Sequence, residues 1–112
     1  MVTEFAQEAG ATPADVAAIR LAVSEAITNV VVHAYSEDIE PGQVEIEAKL
    51  EGDDLYVTVL DVGHGLNAAS TSPGLGLGLA IISQESDSVD INGRAGTGLS
   101  IRMRFALGRR TR

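Results

Sequence analysis

One long helical stripe constrains the fold of this chain more than any other feature. Between residues 13 and 35, apolar side chains recur at three- and four-residue steps, which is the spacing of one face of an α-helix. Thr12 followed by Pro13 suits the N-cap and the first helical position. Such a helix needs another layer on which to bury its stripe. The apolar positions of the stripe are Val16, Ile19, Val23, Ile27, Val30 and Ala34.

Predicted strands provide that layer. The stretches "VEIEAKL" (44–50) and "LYVTVLD" (55–61) alternate apolar and polar residues, as half-buried antiparallel strands do, and "EGDD" is a tight turn between them. The segments "SVDIN" and "TGLSIRMRFAL", joined by "GRAG", indicate a closing hairpin. The order helix, two strands, helix, two strands predicts an α+β two-layer sandwich. Its mixed, mostly antiparallel sheet would be covered on one face by helices.

The composition restricts the size, the location and the partners. With 112 residues, we expect a single domain over 1–112 that ends in a basic tail at 107–112. The net charge is −8, so the acidic body would repel a phosphate backbone and direct nucleic-acid binding is not expected. No apolar run reaches the ~20 residues that span a bilayer. The absence of cysteine excludes thiolate metal sites. A cytoplasmic protein without membrane association is the expectation.

A second side of the long helix carries polar residues in unusual company. Glu25, Asn29 and His33 are spaced by four and therefore lie on one side. Such a triplet usually belongs to a solvated face, but solvated faces are rich in Lys, Glu and Arg. Here Arg20 is the only basic side chain between residues 13 and 35. We therefore interpret this side as part of a pocket. The surrounding residues are Ala18, Leu21, Ala22 and Val32.

Two further features call for a ligand. Asp61 ends the second predicted strand and shares the parity of its apolar residues, and a buried unpaired carboxylate is costly. The stretch "GLGLGLAIISQ" from Gly74 is interpreted as a loop that enters a helix and could present N–H groups to phosphates. It is not a Walker A loop, because the only lysine, Lys49, lies in a strand. Nor is it a dinucleotide fingerprint, because "NAASTSP" before it is not a strand.

Together these stretches resemble the Bergerat-fold (GHKL) ATP-binding domains. "SEAITNVVVHAY" resembles the N box, "DVGHG" the first glycine box, "GLGLGLAII" the second, and "GTGLSIRM" the closing strand, in the family order over residues 14–106. The N box and the second glycine box are most similar to those of bacterial anti-sigma-factor serine/threonine kinases. The family usually begins with a strand before the first helix. Because Met1 falls inside the helix remnant "VTEFAQEAGA", we expect that strand to be missing.

The resemblance implies a role for each residue that matches one of the family motifs. Asn29 would bind ATP through Mg²⁺ with its side-chain oxygen, and Glu25 would be the catalytic base for the attacking hydroxyl. Asp61 would accept a hydrogen bond from the adenine amino group. For His33, a nucleotide contact and a packing role both stay open. The remaining implied ATP-binding positions are Gly63, Gly65, Gly74, Leu75, Gly76, Leu77, Gly78 and Thr97.

The function that the resemblance implies is an anti-sigma factor that uses ATP and Mg²⁺. It would phosphorylate Ser or Thr on an antagonist (anti-anti-sigma) protein and sequester a sigma factor. The missing first strand often contributes to the dimer interface of the family, so a homodimer stays open. Two alternatives stay open: a nucleotide-dependent binding switch without phosphoryl transfer, and the ATP-binding catalytic domain of a sensor histidine kinase. The short lid "LNAASTSP" offers no cation to the γ-phosphate, so the sequence supports ATP binding more strongly than turnover.

Overall fold

An antiparallel sheet with helices packed on one face forms the body of the molecule. The computed structural model describes residues 2–34, 43–62, 74–94 and 98–108. The predicted order of elements is confirmed, and the segment "VTEFAQEAGA" supplies a first helix. None of the described helices is both long and apolar enough to cross a membrane. In chain order the elements are α1 (Val2–Glu8), α2 (Pro13–Ala34), β1 (Gln43–Glu51), β2 (Asp54–Val62), α3 (Gly74–Glu85), β3 (Ser88–Arg94) and β4 (Gly98–Ala106).

The strand order is β1-β2-β4-β3, and each described pairing is antiparallel. After β2 the chain passes through α3 to the far edge of the sheet, where β3 lies, and β4 then returns between β2 and β3. The α+β two-layer prediction is confirmed. The sheet is antiparallel throughout the described strands, whereas the sequence predicted a mixed one. Its central strands β2 and β4 lie beneath α2.

The core forms where the inner face of the sheet meets α2. Alternate residues of β2 and β4 are fully buried, as their period of two predicted. From the helical stripe, Ile19, Val23 and Val30 are buried, whereas Val16 and Ile27 are only partly buried. Each fully buried side chain of this kind stabilises the fold by about 1.5–3 kcal/mol. The fully buried strand residues are Leu55, Val57, Val59, Ile101, Met103 and Phe105.

A buried carboxylate, Asp15, fixes the N-terminal end of α2. The backbone N–H of Asp15 donates to Thr12 Oγ1 (3.0 Å), and the N–H of Thr12 donates to Asp15 Oδ2 (2.8 Å), which confirms Thr12 as the N-cap. The same Oδ2 accepts the N–H of Gly108, just beyond β4, at 2.8 Å. Asp15 therefore connects the start of α2 to the end of the last strand. The sequence analysis did not identify this connection.

Asp15→Ala should destabilise the protein by about 3 kcal/mol, because it removes the buried carboxylate that accepts the partly buried N–H groups of Thr12 and Gly108. Thr12→Ala is the matched control. It removes only the cap hydroxyl and should cost about 1 kcal/mol. Urea unfolding of the two variants and the wild type measures both values. An Asp15→Ala loss no larger than that of Thr12→Ala would contradict the role assigned to the Gly108 contact.

Candidate functional site

The candidate site centres on a buried amide, that of Asn29 near the C-terminal end of α2. The residue is only 5% exposed, and its Nδ2 finds no hydrogen-bond partner among the described residues. Leaving a buried donor unpaired costs about 1–3 kcal/mol. An unpaired buried polar group in a folded protein calls for an explanation, and an external ligand is one. An acceptor on a bound ligand, such as a phosphate oxygen, would satisfy Nδ2, whereas the Mg²⁺ predicted at Asn29 would be bound by Oδ1, so the metal role stays a prediction.

Helix α3 approaches α2 most closely at this amide. A Cβ atom built on Gly78 would lie 2.7 Å from both Nδ2 and Oδ1 of Asn29 and 3.1 Å from its Cγ. Real side chains do not approach to 2.7 Å, so only glycine fits at position 78 with Asn29 as it stands. Asn29 and Gly78, which lie far apart in the sequence, are thus brought into contact.

Glu25 lies one turn before Asn29 on the same helix and is partly exposed. Around it, Ala18 is 4% exposed and Ala22 is fully buried, whereas Leu21 is 44% exposed. The side that the sequence analysis interpreted as a pocket is therefore divided: the small residues are buried, and the part that bears Leu21 opens to solvent. Glu25 lies between the two parts. A carboxylate in this place is accessible to a substrate and still one helical turn from the buried amide.

The structure places the backbones of two other predicted site residues. The Cα of Asp61 lies opposite that of Val44, near the end of β2, in a strand whose alternate residues Val57 and Val59 are fully buried. His33 lies in the last turn of α2. For both residues the description is limited to the backbone, so their proposed nucleotide contacts stay predictions.

The glycine-rich stretch was interpreted wrongly as a loop that enters a helix. Gly74 is the first residue of α3, so Gly74, Gly76 and Gly78 lie inside the helix. The physical basis for binding phosphate persists, because the N–H groups in the first turn of a helix have no partners within it. The backbones of Leu75 and Leu77 lie in the same helical segment. The predicted site positions outside the described residues are Gly63, Gly65 and Thr97.

An apolar groove of about 420 Å³ lies elsewhere, between α1, α2 and β1. Its α2 positions lie on the side of the helix axis opposite to Glu25 and Asn29, because they differ from those residues by about half a turn. The groove is thus distinct from the candidate site. Its apolar lining includes Phe5, Ile19, Val23, Ile27, Ile46 and Ala48.

Comparisons with known proteins agree with this arrangement. The family model described as "Histidine kinase-like ATPase domain" matches residues 1–105. An anti-sigma F factor from Bacillus subtilis (strain 168) is 32% identical over 113 residues, covering 91% of this chain and 77% of the relative. An anti-sigma F factor from Clostridium acetobutylicum is 30% identical, with 95% of this chain and 82% of the relative covered. The corresponding protein of Thermoanaerobacter sp. (strain X514) is 27% identical over 96% of this chain and 82% of its own length.

If the Asn29 amide is kept for a ligand, its removal should leave the stability of the ligand-free protein nearly unchanged. For Asn29→Ala we expect a change in the free energy of unfolding within about 1 kcal/mol, because relief of the unpaired donor offsets the lost packing. The neighbouring Val30, fully buried and apolar, provides the control, and Val30→Ala should cost about 2 kcal/mol. Urea unfolding without nucleotide tests this. Equal losses in the two variants would identify Asn29 as a packing residue.

Proposed function

Because the chain belongs to the histidine kinase-like ATPase domain family, we propose that it is an ATP-binding anti-sigma factor with serine/threonine kinase activity. One observation carries the proposal: the buried amide of Asn29, whose Nδ2 has no hydrogen-bond partner among the described residues, lies against Gly78 and one turn after the partly exposed Glu25. The names of the relatives, anti-sigma F factors, support the regulatory part. In this proposal residues 1–112 form a single ATP-binding domain.

The triphosphate end of the nucleotide would lie between α2 and α3. The amide oxygen of Asn29 is a hard ligand of the type that Mg²⁺ prefers, and rotation about the terminal side-chain bond presents either end of the amide. The bound metal ion neutralises charge on the phosphates. The first turn of α3, from Gly74, offers backbone N–H groups and the positive end of the helix dipole to phosphate oxygens. In this protein of net charge −8, such groups replace a cationic patch.

The adenine end would lie toward the end of β2. In this proposal the Asp61 carboxylate accepts a hydrogen bond from the adenine amino group, and Gly63 and Gly65 let the backbone pass close to the base. Thr97 completes the adenine contact, directly or through water, and His33 lies nearby. The position of Asp61 at the end of a strand with a buried inner face supports this, because adenine would then meet one polar acceptor in apolar surroundings.

Phosphoryl transfer would use the carboxylate of Glu25 as a general base. The hydroxyl oxygen of a serine or threonine on the antagonist protein forms a bond to the γ-phosphorus. The bond between that phosphorus and the β,γ-bridging oxygen breaks, and ADP leaves. The hydroxyl proton passes to the Glu25 carboxylate and then to solvent. In this proposal the protein also sequesters a sigma factor.

ATP with Mg²⁺ should raise the thermal midpoint, by roughly 10 °C at a hundredfold excess over Kd, because the ligand binds only the folded state. Asp61→Asn should abolish most of that gain, because the amide places an N–H₂ donor where an acceptor is needed. The control is Asp90→Asn, an exposed acid on β3, which should keep the full gain. A wild-type midpoint that does not move at millimolar ATP would refute the nucleotide site.

Glu25→Ala should lower phosphate incorporation at least a hundredfold and leave ATP affinity within about threefold, because the carboxylate acts on the hydroxyl rather than on the nucleotide. Radiolabelled ATP, with a purified anti-anti-sigma protein from the same bacterium as acceptor, measures the transfer. Glu47→Ala, an exposed acid on β1, is the control and should transfer phosphate normally. If the wild type binds ATP and transfers none, the binding-switch alternative replaces the kinase.

A further inference from the structure

Gly78 of α3 lies where a side chain would collide with a residue of another helix. Its backbone lies so close to the Asn29 amide that a Cβ would come within 2.7 Å of both terminal atoms. An alanine at this position therefore requires a displacement. Either α3 moves away from α2, or the amide moves.

The surroundings favour displacement of the amide over displacement of the helix. Ile82 lies one turn after Gly78, on the same side of α3, and is fully buried in the core. If α3 retreated from α2, this side chain would leave its packing. On α2, Val30 follows Asn29 directly and is also fully buried, so the backbone there is fixed as well. The Nδ2 of Asn29, by contrast, has no hydrogen-bond partner among the described residues that would hold the amide in place.

The N–H of Gly78 is a poor candidate for binding phosphate. Gly78 is the fifth residue of α3, and in a regular α-helix its N–H donates to the carbonyl of Gly74, four residues before it. Glycine in the interior of a helix is also less favourable than alanine. A glycine at this position therefore needs a reason other than a free N–H, and the contact with Asn29 provides it.

We propose that Gly78 is a positioning residue, which leaves the space that holds the Asn29 amide in the geometry for Mg²⁺. This inference rests on the proposed function, because it assigns Asn29 to the metal. It differs from the family-based expectation in that Gly78 acts through its missing Cβ rather than through its N–H.

Gly78→Ala tests the inference with two measurements, protein stability and Mg²⁺-dependent ATP affinity, of which only the affinity should fall. The urea midpoint of the ligand-free protein should hold or rise, because alanine favours the helix. The Mg²⁺-dependent increase in ATP affinity should fall at least tenfold, while the affinity for ATP in EDTA stays within twofold. Both affinities are measured by titration calorimetry. Ser83→Ala, an exposed change on the same helix, is the matched control and should alter neither affinity.

A double-mutant cycle tests whether Gly78 acts through Asn29. In an Asn29→Ala background the space beside residue 78 is empty, so Gly78→Ala should weaken Mg²⁺–ATP binding by less than twofold further. If the two substitutions instead weaken Mg²⁺–ATP binding independently, so that their fold-changes multiply, the inference is overturned. If Gly78→Ala alone fails to fold, the double variant should fold again. Failure of both would also overturn the inference, because the clash would then lie elsewhere.

The ligand-free protein gives a readout that needs no nucleotide. The chain has three asparagines, Asn29, Asn67 and Asn92, so the side-chain amide signals are few and Asn29→Ala assigns one of them. Gly78→Ala should shift the Asn29 amide signals in the ¹⁵N–¹H spectrum and leave those of Asn92 in place. Unmoved Asn29 signals would overturn the inference.

The two proposals fail in different ways. If the wild type and the Gly78→Ala variant bind ATP with Mg²⁺ equally well, the positioning role alone is overturned and the proposed function is left intact. A wild type without any Mg²⁺-dependent ATP binding would overturn the proposed function and this inference together.

Discussion

The close contact of α2 and α3 at Asn29 and Gly78 is the constraint on which the site depends. The two helices meet across a glycine, where the amide is buried and its Nδ2 has no hydrogen-bond partner among the described residues. Domains of this kind are stable by only about 5–15 kcal/mol, and an unpaired buried donor removes about 1–3 kcal/mol of that. A fold that keeps such a group gives up stability at one place. The natural counterpart is a ligand that supplies the missing partner when it binds.

Helix α2 can carry this unfavourable group because its other end is firmly held. The Asp15 carboxylate joins the cap of α2 to the N–H of Gly108. The two residues before Gly108 are also held by hydrogen bonds. The N–H of Ala106 donates to the Asp87 carboxylate at 2.7 Å, and the N–H of Leu107 donates to the Asp53 carbonyl at 2.9 Å. The span from Asp15 to Asn29 is roughly 21 Å along the helix. The Asp15 connection thus lies at one end of α2 and the proposed chemistry near the other.

Periodicity was sufficient to predict the elements, because each buries one face and the apolar pattern of α2, β2 and β4 follows from that. It could not reveal Asp15, whose decisive partner, Gly108, lies 93 residues away in sequence. The error at the glycine stretch has the same origin. Three glycines within five residues predict a loop from propensity alone, yet helix packing overrides propensity, and at position 78 the Asn29 amide as it stands leaves room only for glycine. Asn29 was identified because its helix side lacks cations, which is a local signal.

In the proposed site, the distribution of charge on the described residues would make Mg²⁺ more important than in a site lined with arginines. Among the described side chains, three cations are engaged on the sheet face turned away from the helices: Lys49 Nζ lies 2.9 Å from Glu51 Oε2, Arg104 lies 3.3 Å from Asp54, and Arg102 lies over a tyrosine ring. Arg20 is exposed on the side of α2 away from Asn29. A triphosphate between α2 and α3 would thus meet backbone N–H groups and a metal ion held by an amide. A site without side-chain cations relies on the metal ion for its nucleotide affinity. In such a site the placement of the one amide that holds the metal would therefore govern nucleotide binding.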